Sequence, residues 1–296
     1  MTYRNIEIFL SICENGNSIT KAAEALFISQ PTVTMNLRDM EKELGVLLFD
    51  RIGRKLYLTD AGRKFKDYAL RIHGLQTDME KTFRSWDREE TIFIGASMTV
   101  GSCYLSEYMK AFRQICPDVR TRTIVAPSSN LEQMILKNRI DFAVVEMPMH
   151  SPAVRFDSYM EKDLVVLAPP SFEKENISLS EFVRQPLVLR NTGSGTREIF
   201  DAVMSGKNIR VEPMMESVSA MALLDAVRNG LGFSVLPEGI AEPLVRRGEA
   251  KIISVRGLHF PQTYYLAYHK DKVLSDNMKK FMECVTTNAP IRTADR

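Results

Sequence analysis

Three short polar segments each follow an apolar, strand-like run and precede a helix-like one: Ser97-Met98-Thr99, Ser128-Ser129-Asn130 and residues 191–198 ("NTGSGTRE"). In open α/β sheets, ligands bind beyond the carboxyl ends of strands, where helix N-termini present free backbone amides. Gly193 and Gly195 leave room for such amides to converge on a small anionic group. The "GSGT" run matches neither the P-loop nor the dinucleotide-binding glycine pattern, and a flexible turn is its alternative interpretation. Three such loops together favour a binding site.

Two further side chains near these loops could take part in chemistry. Glu146 ends the run "DFAVVE" and would point toward the same cleft, where it could accept a hydrogen bond from a ligand ammonium group or orient neighbouring donors; a surface carboxylate is the alternative. Cys103 lies near a helix start, which could depress its pKa and suit it to redox sensing, although a core cysteine is the commoner case. The cysteines and histidines lack metal-ligand spacing, and no nucleophile–histidine–acid grouping emerges. The sequence therefore predicts no metal, no cofactor and no enzyme.

The segment 29–45 ("SQPTVTMNLRDMEKELG") predicts a helix with one apolar and one polar face. Ser29 is a good N-cap, and Gly45 suits the position after the last turn. The predicted buried stripe is Val33, Leu37, Met40 and Leu44. The opposite face carries Pro31, Met35, Arg38 and Lys42, flanked by Thr32, Thr34 and Asp39. Short hydroxyl side chains permit close approach, arginine can reach a guanine edge or a phosphate, and methionine and threonine methyl groups can meet thymine methyls. An exposed helix without a partner is the alternative.

A basic run follows this helix. Between residues 51 and 66 the only acid is Asp60, and the basic residues are Arg51, Arg54, Lys55, Arg63, Lys64 and Lys66. A solvated charged face is the simplest explanation of such a run. Together with the preceding helix, the run favours a DNA-binding unit that contacts phosphates.

The elements that would carry these residues fall into three segments. Residues 1–60 read as three helices and a hairpin, the outline of a helix-turn-helix unit. Residues 61–88 read as one long helix whose apolar stripe needs a partner: Ala61, Phe65, Tyr68, Ile72, Leu75, Met79, Phe83 and Trp86. The neighbouring domain could cover this stripe, but pairing with the same helix of a second subunit is the preferred interpretation, since two-fold proteins read two half-sites.

Residues 89–296 alternate between strand and helix patterns and predict an α/β domain with a mostly parallel sheet. Two lobes with a cleft are expected, one from 89–162 plus 269–296 and the other from 163–268. Strands are predicted at 91–96, 119–126, 141–146, 164–168, 187–190, 232–236 and 263–269. Helices are predicted at about 101–115, 129–138, 196–205, 219–229 and 274–286.

The overall composition is that of a globular protein. The chain has 296 residues, of which 45% are hydrophobic and 26% charged, enough for about two or three domains. No apolar run approaches the roughly 18–20 residues that span a bilayer. The N-terminus lacks a basic segment followed by an apolar core, so no signal peptide and a cytoplasmic location are expected.

Residues 18–62, from "SITKAAEALF" to "LTDAG", resemble the signature of LysR-type transcriptional regulators nearly throughout. The matching parts include Ser29-Gln30-Pro31, Leu48-Phe49-Asp50-Arg51 and residues 58–62, and the similarity extends over essentially the whole chain. The resemblance implies an all-α winged helix-turn-helix domain, a long dimerising linker helix, and a two-lobed α/β effector domain like a type 2 periplasmic binding protein. It also implies a homodimer assembling to a homotetramer, often control of a divergent neighbouring gene, and DNA bending that changes when a small molecule binds.

Carried onto this sequence, the resemblance implies base-proximal positions at Gln30, Pro31, Thr34 and Arg38, and wing contacts at Arg51 and Arg54. Many relatives have a basic residue where this chain has Met35, so an apolar contact is expected there. More loosely, "GASMTVG" and "NTGSGTRE" resemble a branch that includes regulators of sulfur assimilation and carbon fixation. This implies a small anion or metabolite at Ser97, Thr99, Asn130, Thr192, Ser194 and Thr196, to which the loop positions add Met98, Ser128 and Glu146.

The sequence thus predicts a regulator that binds double-stranded promoter DNA specifically and responds to a small-molecule or anionic effector, with RNA polymerase as a further partner and no membrane contact. An enzyme or solute carrier on the same two-lobed fold is one alternative, opposed by the lack of a catalytic grouping and of a signal peptide. A co-regulator that acts through protein contacts alone is another, and it would need no basic wing.

Overall fold

The computed structural model describes residues 1–53, 55–84, 90–147 and 149–288. Packing divides these residues into two compact units. The first contains the described residues of Met1–Arg88 with the short segments Leu136–Arg139 and Asp271–Val273, and the second contains the remainder. Trp86 and Arg54, both named in the predictions above, lie outside the described residues.

The first unit begins with three helices, a hairpin and a long helix, in the predicted order. They are α1 (Tyr3–Glu14), α2 (Ile19–Ala25), α3 (Gln30–Leu44), β1 (Phe49–Ile52), β2 (Lys55–Leu58) and α4 (Asp60–Arg84). Each of the first three helices starts at a side-chain cap, from Thr2, Ser18 and Ser29, which satisfies a backbone amide of the first turn. Their apolar faces share one buried core that includes Phe9, Ile12, Ala22, Val33 and Met40.

Two sequence predictions for this unit need correction. Leu44 is predicted in the buried stripe of α3 but is 39% exposed, because the chain leaves the helix at Gly45 in the left-handed conformation and enters the exposed segment Val46-Leu47. The run "ITKAAEALF" predicts a second helix that extends to Phe27, but that helix ends at Ala25. Phe27 lies in the turn before α3 with a positive φ of 54°.

The long helix α4 has two unlike apolar faces. Phe65 and Ala69 pack against the core of the first unit. Five further residues of the predicted stripe are 42–65% exposed in the chain: Tyr68, Ile72, Leu75, Met79 and Phe83. Burying such a stripe is favourable, so this face is suited to a partner surface.

The second unit is an α/β domain of two lobes. Its strands are β3 (Thr91–Ala96), β4 (Arg120–Val125), β5 (Phe142–Val145), β6 (Val154–Ala168), β7 (Asn176–Ile177), β8 (Val188–Arg190), β9 (Met215–Ser217), β10 (Ser234–Pro237), β11 (Lys251–Val255) and β12 (Pro261–His269). Its helices are α5 (Met98–Cys103), α6 (Leu105–Ile115), α7 (Ser128–Leu136), α8 (Leu179–Phe182), α9 (Gly195–Ser205), α10 (Ala220–Arg228), α11 (Glu238–Arg246) and α12 (Asp276–Thr287).

The large sheet of this unit is mixed, and the expectation of a mostly parallel sheet is wrong. The strand order is β4-β3-β5-β12-β6-β11-β7, with β10 also paired to β6. β3 pairs parallel with β4 and β5, but β12 runs antiparallel to β5 and β6, and β6 runs antiparallel to β10 and β11. A separate parallel pair joins β8 and β9.

The strand β6 links the cores of the two lobes. Met160 belongs to the cluster around Phe112, Phe142 and Phe281, whereas Leu164 belongs to the cluster around Phe182, Phe200 and Phe260. The sequence predicts only residues 164–168 as strand, since the first part of β6 has both faces partly exposed and carries several charges. It also misses helix α11, with Pro243 inside it, and the helix predicted at 101–115 is interrupted at Tyr104.

The lobe boundaries predicted from the sequence stay a prediction.

No helix in the part of the chain that the structure describes is both long enough and apolar enough to cross a membrane.

Candidate functional site

The exposed face of α3 carries the side chains predicted to meet DNA. Gln30, Pro31, Met35 and Arg38 are exposed, and Thr32 and Thr34 are partly buried. The Ser29 hydroxyl accepts a hydrogen bond from the backbone N–H of Thr32 at 3.3 Å and lies 2.7 Å from the Thr32 hydroxyl. The Thr34 hydroxyl donates to the carbonyl oxygen of Gln30 at 3.1 Å. These bonds keep the short polar side chains close to the helix. The side chains at its start therefore project little into solvent, and a partner can approach the backbone.

Helix α3 is held firmly on its other side. Val33, Leu37 and Met40 are buried in the core. The Asn36 amide donates to the carbonyl of Thr32 at 2.8 Å and accepts from the Asn5 amide at 2.8 Å, which ties α3 to α1. The exposed face of α3 is therefore presented on a rigid support, as a base-reading helix requires.

The hairpin β1–β2 is anchored to the same helix. The Glu41 carboxylate accepts hydrogen bonds from the backbone N–H groups of Leu48 at 2.8 Å and Phe49 at 3.2 Å, at the entry to β1. Arg51 is exposed in β1 and pairs in register with Leu56. Arg54, the other predicted wing contact, lies outside the described residues.

Sequence reasoning did not single out Phe27 as part of this surface. Its side chain is 95% exposed, immediately before the start of α3, and its backbone is in the left-handed region that bulky residues rarely adopt. Its position next to "ISQP" was visible in the sequence, but its exposure was not, because an apolar residue after "AAEAL" continues a helical pattern.

The second unit contains a cavity of about 310 Å³ between its loops. It is lined by Met98, Pro127, Ser128, Ser129, Glu132, Glu146, Met147, Met149, His150, Arg190, Asn191, Gly193, Ser194, Gly195, Thr196, Glu198 and Val218. The three polar loops predicted from the sequence thus all contribute to one cavity wall. Among the predicted effector-binding residues, those in the wall are Met98, Ser128, Glu146, Ser194 and Thr196.

The other four predicted residues do not line the cavity. Ser97 and Thr99 are buried behind it, where the Ser97 side chain caps α5 and the Thr99 hydroxyl donates to Glu146 Oε1 at 3.1 Å. Asn130 and Thr192 are exposed outside it. A residue that directly follows one of these strands lies near the cavity, but the direction of its side chain depends on the turn that follows.

Two buried side chains of opposite charge belong to the cavity wall. Glu146 is 7% exposed and Arg190 is 8% exposed, and the two do not form an ion pair with each other. Among the described residues, Glu146 Oε2 and Arg190 Nε have no hydrogen-bond partner. Burial raises the pKa of Glu146, opposed by hydrogen bonds from Ser97 and Thr99 and by the charge of Arg190. Burial also lowers the pKa of Arg190.

The neighbouring Arg197, by contrast, is fully engaged in structure. It lies in the first turn of α9, contacts Asp201 at 2.9 Å and Glu216 at 2.5 Å, and donates to the backbone carbonyl of Arg190 at 3.0 Å. These bonds fix the end of β8 against α9. Arg190 was not singled out from the sequence, although its place directly before "NTGSGTRE" was a usable signal.

Gly195 allows the two sides of the cavity to approach closely. A Cβ at this position would lie 2.7 Å from Met147 Sδ and 3.4 Å from Glu146 Cγ. The backbone N–H groups of the first turn of α9 therefore lie next to the end of β5, where Glu146 is located. Such amides have no partner within the helix and favour anionic groups.

Cys103 does not have the depressed pKa that a helix start could have produced. It is the last residue of α5, and burial raises its pKa to about 11, with the nearby Glu146 carboxylate adding to the increase. The thiolate form is therefore scarce near neutral pH, which argues against a redox role.

Comparisons with known proteins cover both units. Residues 3–63 match the family described as "Bacterial regulatory helix-turn-helix protein, lysR family", and residues 87–290 match the "LysR substrate binding domain". An uncharacterised HTH-type transcriptional regulator of Escherichia coli (strain K12), YeiE, is 31% identical over 98% of this chain and 99% of its own length. A RuBisCO operon transcriptional regulator of Allochromatium vinosum is 30% identical over 98% of this chain and 97% of its own length.

Solved structures show the same fold. Full-length CbnR in a complex with its target DNA superposes with a TM-score of 0.62 at 21% identity, over 98% of this chain and all of that chain. A full-length OxyR variant from Pseudomonas aeruginosa superposes with a TM-score of 0.63 at 19% identity, over 97% and 94% of the two chains. With a family-specific helix-turn-helix unit and a two-lobed effector domain in one chain, this protein belongs to the LysR family of transcriptional regulators, which are not enzymes.

Proposed function

We propose that this LysR-type regulator binds promoter DNA sequence-specifically through α3 and the β1–β2 wing, and that a small metabolite or anion in the cavity of the second unit controls DNA binding or bending. The observation that carries the proposal is the cavity wall, where Glu146 and Arg190 are both buried without a direct ion pair. Burying charged groups that are not paired with each other costs free energy, so their presence in a cavity is better explained by a ligand than by stability.

The proposed DNA surface combines base-proximal and phosphate-contacting positions. Gln30, Pro31, Thr32, Thr34, Met35 and Arg38 supply the first kind, and Arg51 and Arg54 supply the second. Arginine on a base-reading helix can form bidentate bonds to guanine, while wing cations neutralise phosphates and confer no sequence information. The solved CbnR complex with its target DNA supports this placement by analogy of fold alone.

The proposed assembly is a homodimer that pairs to a homotetramer, with RNA polymerase as a further partner on promoter DNA in the cytoplasm. The exposed stripe on α4 supports the dimer, because its five large apolar side chains lie on one face of a single helix. A dimer also suits DNA reading, since two-fold proteins match two half-sites.

The test is a titration of labelled DNA from the region upstream of the gene, against a scrambled duplex, at several salt concentrations. We expect a clear preference for the natural sequence and a steep loss of affinity with salt, because phosphate contacts release counterions. Arg38→Ala should reduce the preference between sequences. Arg51→Ala should instead weaken binding to both duplexes alike.

Lys207→Ala serves as the matched control, since Lys207 is an exposed cation of the second unit and should leave both affinities unchanged. Equal affinity for the two duplexes, or identical behaviour of the Arg38 and Arg51 variants, would contradict the assigned surface. For effector control, a compound that raises the melting temperature of the protein should also change its footprint or bend on the DNA. A stabilising compound that changes neither would contradict that half of the proposal.

A further inference from the structure

We propose that Glu146 makes the cavity selective for an anion that brings its own hydrogen-bond donor, either a zwitterionic α-amino acid or an oxyanion that retains a hydroxyl group. Anions without a polar hydrogen are excluded. The inference rests on the proposed function, because it takes the cavity as the effector site and names the class of ligand that enters it.

The first observation is a fixed acceptor in the cavity wall. Glu146 follows β5, and its Oε1 accepts a hydrogen bond from the buried Thr99 hydroxyl at 3.1 Å. Its Oε2 is buried and has no partner among the residues that the structure describes. Thr99 therefore holds one carboxylate oxygen in place, and a donor on a ligand in the cavity would supply the partner that the other oxygen lacks.

The second observation is a separate place for negative charge. Arg190 ends β8 in the same wall, and its Nε has no partner among the described residues. Its backbone is fixed by Arg197, which donates to its carbonyl at 3.0 Å. The N-terminus of the eleven-residue helix α9 opens beside it, with Gly195 and Thr196 in the wall. A guanidinium group and free amides at a helix start together form an anion site.

A ligand must therefore satisfy an acceptor and a cation in one small space. A fully ionised anion would place lone pairs and negative charge near the Glu146 carboxylate, which would stay unsatisfied and repel it. An anion with an N–H or O–H group can instead donate to Glu146 while its charged oxygens reach Arg190. Sites built around a buried hydrogen-bonding group reject analogues that lack the complementary group by roughly 10⁴–10⁵ in favourable cases.

The remaining titratable groups of the wall do not change this pattern. Glu132 is engaged in structure, since its Oε1 accepts from the backbone N–H of Ser151 at 2.5 Å. Glu198 is exposed to solvent, and His150 is the third of these titratable residues in the wall. Burial raises the pKa of Glu146, and its hydrogen bonds and the charge of Arg190 oppose that increase in favour of the carboxylate form, which accepts hydrogen bonds.

The experiment measures binding to the intact protein by thermal melting and calorimetry, with matched pairs of anions that differ in the donor. The pairs are hydrogencarbonate and nitrate (planar), hydrogensulfite and chlorate (pyramidal), hydrogenphosphate and sulfate (tetrahedral), and the common L-α-amino acids with their deaminated carboxylic acids. The oxyanion pairs and the amino-acid pairs separate the two sources of the same chemistry. We expect at least one donor-bearing member to bind, with its donor-free counterpart about 100-fold weaker or more.

Glu146→Gln is the decisive variant, because an amide offers N–H donors in nearly the same shape. It should admit the donor-free counterpart and reduce the preference by about tenfold or more. Glu107→Gln makes the same chemical change at an exposed position outside the cavity and should leave the preference intact.

The inference is overturned if donor-free and donor-bearing members bind equally well to the unmodified protein, as they would if Glu146 were protonated and donated a hydrogen bond itself. It is also overturned if Glu146→Gln keeps the full preference, or if no donor-bearing anion binds. In each of these cases the proposed function survives if another compound stabilises the protein and changes its DNA footprint. The proposed function fails as well only if stabilising compounds leave the DNA complex unchanged.

Discussion

Gly62 supports the contact between the start of α4 and the wing, and replacing it with alanine should loosen the first unit. A Cβ at residue 62 would lie 2.0 Å from the backbone oxygen of Leu48 and 2.9 Å from Leu58 Cδ2, far inside van der Waals contact. The same oxygen accepts a hydrogen bond from the backbone N–H of Thr59 at 3.1 Å, so it cannot move away without breaking that bond. The helix start and the strand entry must separate instead.

The magnitude follows from two opposing effects. Overpacking a well-ordered contact costs about 1–3 kcal/mol, and the clash here is with backbone, which places Gly62→Ala toward the upper part of that range. Alanine in place of glycine within a helix gains up to about 1 kcal/mol. The net expectation is a loss of about 1–2 kcal/mol in the free energy of unfolding of the first unit.

Gly74→Ala is the matched control, because it makes the same change in the same helix. A Cβ at residue 74 meets only Asn138 Cβ, at 3.9 Å, which is an ordinary contact. This variant should therefore gain up to about 1 kcal/mol, opposite in sign to Gly62→Ala.

The assay is native-state hydrogen exchange on the intact chain, read at buried amides of α1 such as Phe9 and Ile12, which report the opening of the first unit. Gly62→Ala should also weaken DNA binding, since the displaced strand carries Arg51. The reasoning is refuted if the two glycine variants change protection by the same amount and in the same direction.

Two further predictions concern the thiols and the linker helix. Burial raises the pKa values of Cys13 and Cys103 to about 11, from an ordinary value of 9.0. At about pH 7.5 their alkylation by iodoacetamide should therefore run about 100-fold slower than that of an unperturbed thiol, and it should accelerate as the pH rises toward 11. Fast alkylation of Cys103 at neutral pH, read by peptide mass spectrometry, would restore this residue as a redox candidate. Leu75→Glu puts a charge into the exposed stripe of α4 and should yield smaller species in sedimentation velocity, whereas Asp67→Asn, which also changes the charge by one unit on an exposed position of α4, should not. An unchanged sedimentation coefficient for Leu75→Glu would show that this stripe is not the subunit contact.

Much of the first unit was predictable because its signals are local. Serine and threonine caps, a proline in the first turn and a glycine at the helix end act within a few residues, and they located α3 correctly. The buried positions Val33, Leu37 and Met40 followed from helical periodicity alone. Leu44 did not, because the last turn of a helix is buried only if another element happens to cover it.

In the second unit the sequence located the three polar loops that meet at the cavity, since the run of strand, polar turn and helix is also local. The pairing partners of a strand lie far away along the chain, and so the antiparallel course of β6 and β12 was not predictable.

The sequence by itself determined the family, the order of domains and the identity of the loops near the cavity of the second unit. Only the tertiary structure decided which side chains in those loops face the cavity, that Thr99 holds Glu146, and that Arg190 reaches the same wall without pairing with it. The physical reason is that charge balance in a buried site depends on distances between segments that lie far apart along the chain, and no pattern along the chain encodes those distances.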